Sequence, residues 1–112
     1  MQYLIQIYSD PTGSDTVPTD ERESITREYM AINERAGILG GAQLQPAETA
    51  TTVRVQDGRT LTTDGPFTET KEVLAGYYLF EADDLDAAIE VAAALPAARM
   101  GGAVEVRPLV AR

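Results

Sequence analysis

The sequence contains neither cysteine nor histidine among its 112 residues. The absence of cysteine excludes a disulfide scaffold, a thiol nucleophile and a thiolate metal site. The absence of histidine removes the usual general base near neutral pH, the commonest metal ligand and any Ser-His arrangement. We therefore predict no metal site, and no motif in the chain indicates a cofactor.

Positive charge is also scarce, because 9 Lys and Arg residues face 18 Asp and Glu residues, which gives a net charge of −9. The basic residues are scattered singly, whereas binding to a phosphate backbone depends on clustered cations. No apolar run approaches the ~20 residues that a membrane span requires, and the N-terminus lacks the basic segment of a signal peptide. The sequence therefore predicts a cytoplasmic protein that binds neither nucleic acid nor a membrane.

What is present is typical of one ordinary globular domain, with 44% hydrophobic and 24% charged residues. Residues 2–8 alternate in the manner of a strand. Apolar side chains recur at helical spacing between residues 19 and 36, and Gly37 is the expected stop. Residues 38–44 predict a second strand. We find no repeat or linker that would divide residues 1–112.

A β-hairpin is predicted for residues 51–56 and 59–63, because the intervening Asp57-Gly58 suits a turn whose twist matches the strands. The hairpin is short and polar. We interpret it as an accessory element that presents the turn following it.

The second half of the chain predicts a core strand at residues 74–81, a helix after the acidic residues that follow it, and a final strand at residues 103–109. Pro108 cannot donate a ladder hydrogen bond, so the last strand is expected at a sheet edge. The order β-α-β-hairpin-β-α-β is that of a ferredoxin-like α+β fold with an inserted hairpin and an antiparallel sheet. Right-handed connections place both helices on one face of the sheet.

The other face of that sheet is then uncovered and partly apolar. Such a face indicates an interface or a ligand groove, and two copies packed face to face would form a symmetric homodimer. Both faces of the strand at residues 74–81 are apolar, so the sequence does not fix which of them lines a cavity.

One motif stands out, the string TDGPFTETKE at residues 63–72, which precedes LAGYYLFEADDLDAAIEVA and, near the end, GGAVEVRPL. Together these segments resemble the YCII-related family, in the branch named for its Asp-Gly-Pro-Phe motif. The resemblance implies a dimeric α/β barrel in which a cavity lies between the sheet and the partner. It also implies a genetic association with extracytoplasmic-function sigma factors, and hence an accessory regulatory role as one alternative.

Asp64 is the candidate catalytic residue, as a general acid or base in the sharp turn before the core strand. The alternative is that its carboxylate only stabilises the turn. The resemblance implies a His-Asp dyad in the wider family, and this chain has no histidine for it.

Seven further residues are predicted to bind a ligand. Arginine suits a carboxylate or phosphate, and tyrosine can stack on a ligand or offer its hydroxyl. The alternatives are an ion pair for the strand charges, a solvated surface for the lysine, and core packing for the tyrosines. The candidates are Gln6, Tyr8, Phe67, Lys71, Tyr78, Glu105 and Arg107.

The sequence thus predicts a small homodimeric protein that binds a small organic molecule near Asp64. The alternative from another class is an acid/base enzyme acting on a small metabolite, with Asp64 as base and Arg107 or a tyrosine as partner.

Overall fold

The computed structural model describes residues 1–11, 17–68 and 70–112. The element order is β-α-β, then a hairpin, then β-α-α-β, which confirms the ferredoxin-like arrangement with an inserted hairpin. The elements are β1 (Gln2–Ser9), α1 (Thr19–Ile32), β2 (Ile38–Gln43), β3 (Thr51–Gln56), β4 (Arg59–Asp64), β5 (Val73–Glu81), α2 (Leu85–Ala93), α3 (Pro96–Arg99) and β6 (Ala103–Pro108).

The main sheet has four antiparallel strands in the order β2-β5-β1-β6, and β3 pairs with β4 in a separate sheet. Strand β1 is central and pairs with β5 on one side and β6 on the other. Strand β6 lies at the edge, as its Pro108 predicts.

One face of the main sheet packs against the helices. Alternation along β1 turns Tyr3, Ile5 and Ile7 into the core, where they meet buried residues of α2 such as Val91. Ile5 and Leu95 are 0% exposed. These side chains form the one large hydrophobic cluster of the described residues.

The opposite side of the main sheet, which we call the open face, is not covered by any of the three described helices. The strand register places its side chains in rows, because partners across antiparallel strands point to the same side. Its members are Leu4, Gln6, Tyr8, Gly40, Tyr77, Leu79, Glu81, Glu105 and Arg107.

The structure also assigns the two faces of β5. Tyr78 and Phe80 are 7% and 6% exposed on the helix side. Tyr77 pairs with Gln6 and Leu79 pairs with Leu4 on the open face, where both are half-buried.

Helix α1 ends earlier than its apolar spacing predicts. Ile32 is its last buried residue, and the bonds that follow run from Glu34 to Ala31 and from Arg35 to Ile32, three residues apart. These bonds tighten the last turn. Gly37 then takes φ +94°, where a Cβ would lie 2.6 Å from the carbonyl oxygen of Glu81.

Strands β3 and β4 form what we call the arm, residues 51–64. Asp57 and Gly58 both have positive φ, 50° and 77°, which confirms the predicted hairpin turn. Apart from Thr52, every arm side chain is exposed, and no other described element packs broadly against the arm.

The arm extends the molecule sideways. The radius of gyration is 15.9 Å, whereas a compact chain of this length is expected at about 13 Å. The protein measures 45 × 43 × 19 Å. A sheet with one helix layer is itself roughly 20 Å thick, so the arm lies within that layer and does not fold over the open face.

Candidate functional site

A half-open cleft of about 720 Å³ lies where the arm joins the main sheet. Its walls come from the segment between β2 and β3, from the start of the arm, from the chain between β4 and β5, and from the adjoining end of β1. The lining includes Tyr8, Leu44, Thr52, Phe67, Glu72 and Leu74.

The Asp-Gly-Pro turn builds the base of the arm through its backbone. Gly65 has φ +100°, a conformation that glycine adopts without strain. Its N–H donates to the Ala50 carbonyl at 2.7 Å, and its carbonyl accepts from the Thr52 hydroxyl at 2.9 Å. These two bonds close the arm and fix one wall of the cleft.

Asp64 is exposed at the end of β4, opposite Thr51, and is not part of the cleft lining. Within residues 1–11, 17–68 and 70–112, its carboxylate has no hydrogen-bond or ion-pair partner. Among the described residues, the Asp64 side chain therefore neither hydrogen-bonds its own turn nor has a neighbour that orients it for proton transfer.

Phe67 of the same motif lies on the cleft lining and is 72% exposed. The Arg54 guanidinium of the arm lies 4.8 Å from the centre of its ring, a cation–π contact. Sequence reasoning missed Arg54, because the contact joins strand β3 to the connection between β4 and β5. Strand alternation, which puts Arg54 on the same side as Thr52, was the only available signal.

Tyr8 connects the two parts of the predicted site, since it lines the cleft and also belongs to the open face. Gln6 lies beside it along β1, directly opposite Glu105, and neither of these residues nor Arg107 is part of the cleft lining. The Arg107 guanidinium donates to the Glu105 carboxylate at 2.8 Å, so these two charges pair along one strand.

Two predicted ligand-binding residues lie elsewhere. Lys71 is outside the cleft lining, with its ammonium 3.8 Å from the Asp10 carboxylate and its side chain 85% exposed. Tyr78 points to the helix side, where its hydroxyl donates to the Tyr29 carbonyl at 2.8 Å. Burial raises the pKa of both tyrosine hydroxyls. Tyr78 is therefore a core residue that connects β5 to α1.

No threonine was predicted as a site residue, yet threonine side chains supply most hydroxyl groups of the cleft lining. Glu72 is the one charged side chain in the lining formed by the described residues. The threonine-rich stretches around residues 49–52 and 68–70 were the feature of the sequence that could have indicated these residues. The threonines are Thr49, Thr51, Thr52, Thr68 and Thr70.

No three metal-ligating side chains come together among the described residues. The described helices also include none with the length and apolar character needed to cross a membrane.

Three comparisons place the chain among known proteins. The family model described as YCII-related domain matches residues 1–111. An uncharacterised protein of Rhizobium meliloti (strain 1021) is 39% identical over 114 residues, covering 97% of this chain and 92% of that one. The structure of 5-chloro-2-hydroxyhydroquinone dehydrochlorinase from Burkholderia phenoliruptrix AC1100, complexed with 2,5-dihydroxybenzoquinone, covers 98% of this chain and 94% of its own, with a TM-score of 0.55. At 20% identity that likeness concerns the fold alone. By family and by sequence relative, the chain belongs to the YCII-related family.

Proposed function

We propose that this protein binds a small organic molecule in the cleft at the base of the arm, as a homodimer formed through the open face. The observation that carries the proposal is the cleft itself, to which the Asp-Gly-Pro-Phe turn contributes Pro66 and Phe67. Its volume of about 720 Å³ falls within the range of about 300–1,000 Å³ typical of ligand sites.

The cleft lining suits a molecule with a flat apolar body and polar substituents. Leu44, Phe67 and Leu74 offer apolar surface, while Tyr8 and the cleft threonines offer hydroxyl groups. Phe67 has Arg54 against its ring and is still mostly exposed. An aromatic ligand stacked on its free surface would bury that ring.

Binding is favoured over acid/base catalysis by the position of Asp64. A general base must reach the proton that it removes, directly or through one water. Asp64 is exposed and outside the cleft lining, and the described residues give it no orienting partner.

The open face supports the dimer because it is partly apolar and its charges are balanced. Leu4, Tyr77 and Leu79 are half-buried there. Arg107 pairs with Glu105, and Glu81 lies 3.7 Å from the N-terminal ammonium. A chain of net charge −9 can approach its own copy most easily through such a surface.

Phenol, the smallest aromatic hydroxyl compound, is a suitable probe for the cleft, with binding followed by amide NMR shifts. We expect millimolar binding that shifts the amides of Thr52, Phe67 and Leu74. Phe67→Ala should weaken it at least fivefold. Met30→Ala, which alters an exposed apolar residue of α1, should leave the affinity unchanged. Shifts confined to other surfaces, or equal binding by Phe67→Ala, would contradict the proposal.

A further inference from the structure

The arm presents apolar side chains that nothing in the described chain covers. Val53 and Val55 are 58% and 67% exposed on one side, flanked by Thr60 and Thr62 across the strand pair. Leu61 is 43% exposed on the other side. An isolated two-stranded hairpin is marginally stable in water, so a hairpin with exposed valines gains stability when another surface covers them.

We infer that the arm packs against a second copy of this chain, with Val53 and Val55 at the contact, and supplies part of the dimer interface. The inference rests on the proposed homodimer and adds to it, because each copy both gives an arm and receives one. The contact is isologous, as expected for a two-fold dimer.

The charge distribution of the chain favours a second copy of it as the partner that covers the arm. The whole chain carries −9, whereas the charged residues of the arm, Arg54, Asp57, Arg59 and Asp64, cancel. The repulsion between two like-charged copies is smallest where the facing surfaces are neutral. The arm and the open face are both neutral strand surfaces, while α1 and the start of α2 carry clustered acids.

The area needed for a stable dimer gives the second argument. Four strands about 4.8 Å apart and about 3.3 Å per residue make an open face of roughly 450 Å². A stable interface buries about 800 Å² on each partner, so the open face alone falls short. One side of the arm adds roughly 200 Å² by the same spacings, which raises the surface that each copy offers to about 650 Å², closer to that of a stable interface.

The arm is held in a position that permits this contact. The Gly65 to Ala50 and Thr52 to Gly65 hydrogen bonds close its base. Because it projects sideways within a molecule only 19 Å thick, it extends past the main sheet without blocking the open face. The arm therefore does not obstruct a copy seated on the open face.

The contact is also adjacent to the cleft. Thr51 and Thr52 are the first two residues of the arm, and both also line the cleft. A partner that fixes the arm thereby fixes one wall of the ligand site.

Sedimentation equilibrium of the full chain tests the inference with one negative charge introduced at each of three positions. Val55→Asp alters the arm, and Gly40→Glu alters the open face, where a Cβ meets nothing within 4 Å. Met30→Asp adds the same charge at a side chain 63% exposed on α1 and is the control. We expect the parent and Met30→Asp to dimerise equally, and both test variants to raise the dimer dissociation constant at least tenfold.

The outcomes separate the two proposals. If Gly40→Glu disrupts the dimer and Val55→Asp does not, the arm inference is wrong and the open-face dimer stands. If the parent is a monomer at about 100 µM, both the dimer and the arm contact are wrong, whereas phenol binding still tests the cleft. An unchanged circular dichroism spectrum of Val55→Asp confirms that lost association is not lost folding.

Discussion

The main sheet and the arm are both antiparallel, yet different interactions hold them together. In β1, alternate residues such as Ile5 reach 0% exposure because the helices cover them. In the arm the same alternation leaves Val55 67% exposed, and order comes from the Asp57-Gly58 turn and the hydrogen bonds at Gly65. Side-chain packing stabilises the main sheet, whereas the turn and the hydrogen bonds at its base determine the conformation of the arm.

This difference explains where the candidate site lies. A packed region has no room for a ligand, because protein interiors are dense. The arm adds walls without filling the space between them, so the cleft forms at the junction, next to Phe67 and Tyr8. Variants that alter the main sheet or the arm, but not both, test whether the two regions are stabilised by different interactions.

The largest effect is expected from the core. Ile5→Ala should lower the free energy of unfolding by about 3 kcal/mol, because a fully buried side chain leaves a cavity. Leu61→Ala in the arm should cost less than about 1 kcal/mol, since the side chain is already partly in water. Urea unfolding at one low protein concentration measures both. Equal costs would mean that the arm is packed as tightly as the sheet.

Adjacent glycines of β2 give a sharper pair. A Cβ at Gly41 would overlap the Tyr77 carbonyl oxygen, whereas a Cβ at Gly40 would meet nothing within 4 Å. Gly41→Ala should therefore cost about 2 kcal/mol, and Gly40→Ala should stay within about 0.5 kcal/mol. The midpoint of urea unfolding reports both. A large cost at Gly40 instead would place the open side of β2 against other atoms of the chain.

Much of the fold was predictable because its signals are local. Asp57-Gly58 specifies a hairpin turn within two residues, and Pro108 specifies an edge strand by the donor it lacks. The faces of β5 were not predictable, since Tyr77 and Tyr78 differ only in what the rest of the fold places beside them. The predicted end of α1 was wrong, because Ala36 fits the helical spacing but is exposed and lies beyond the last helical residue, Ile32.

The candidate site was predictable only in part. Of the predicted residues, Phe67 and Tyr8 line the cleft, whereas Gln6 and Glu105 share the open face with Tyr8 and lie outside the lining. The contact between Phe67 and Arg54 depends on how the arm meets the chain after it. No periodicity within one strand contains that information.

The two neighbouring tyrosines of β5 distinguish its faces. Tyr78→Phe removes the 2.8 Å bond to the Tyr29 carbonyl and should cost about 1 kcal/mol. Tyr77→Phe on the open face should cost less than half as much when measured on the monomer. Thermal unfolding of the two variants compares them. An equal cost would contradict the assignment of Tyr78 to the core.

The pH dependence of the stability follows from the burial of the Tyr78 and Tyr29 hydroxyls. Burial raises the pKa of Tyr78 above its ordinary value of 10.0, and that of Tyr29 likewise. The folded state then holds its protons where the unfolded state loses them, so stability is fully present below pH 10 and falls as the pH rises above it. Tyr78→Phe should make this alkaline loss shallower, as measured by urea midpoints between pH 9 and pH 11.

The smallest effect is expected in the arm. Arg54→Gln removes the guanidinium 4.8 Å from the Phe67 ring and should cost about 0.5 kcal/mol, because the contact is exposed to water. Global unfolding will hardly register this, but amide exchange at Gly65 should accelerate, since the contact and the Gly65 to Ala50 bond both hold the base of the arm. Arg59→Gln, beside the hairpin turn, is the matched control and should leave that amide unchanged. Equal acceleration by both variants would show that arm charge, and not the aromatic contact, sets the exchange rate.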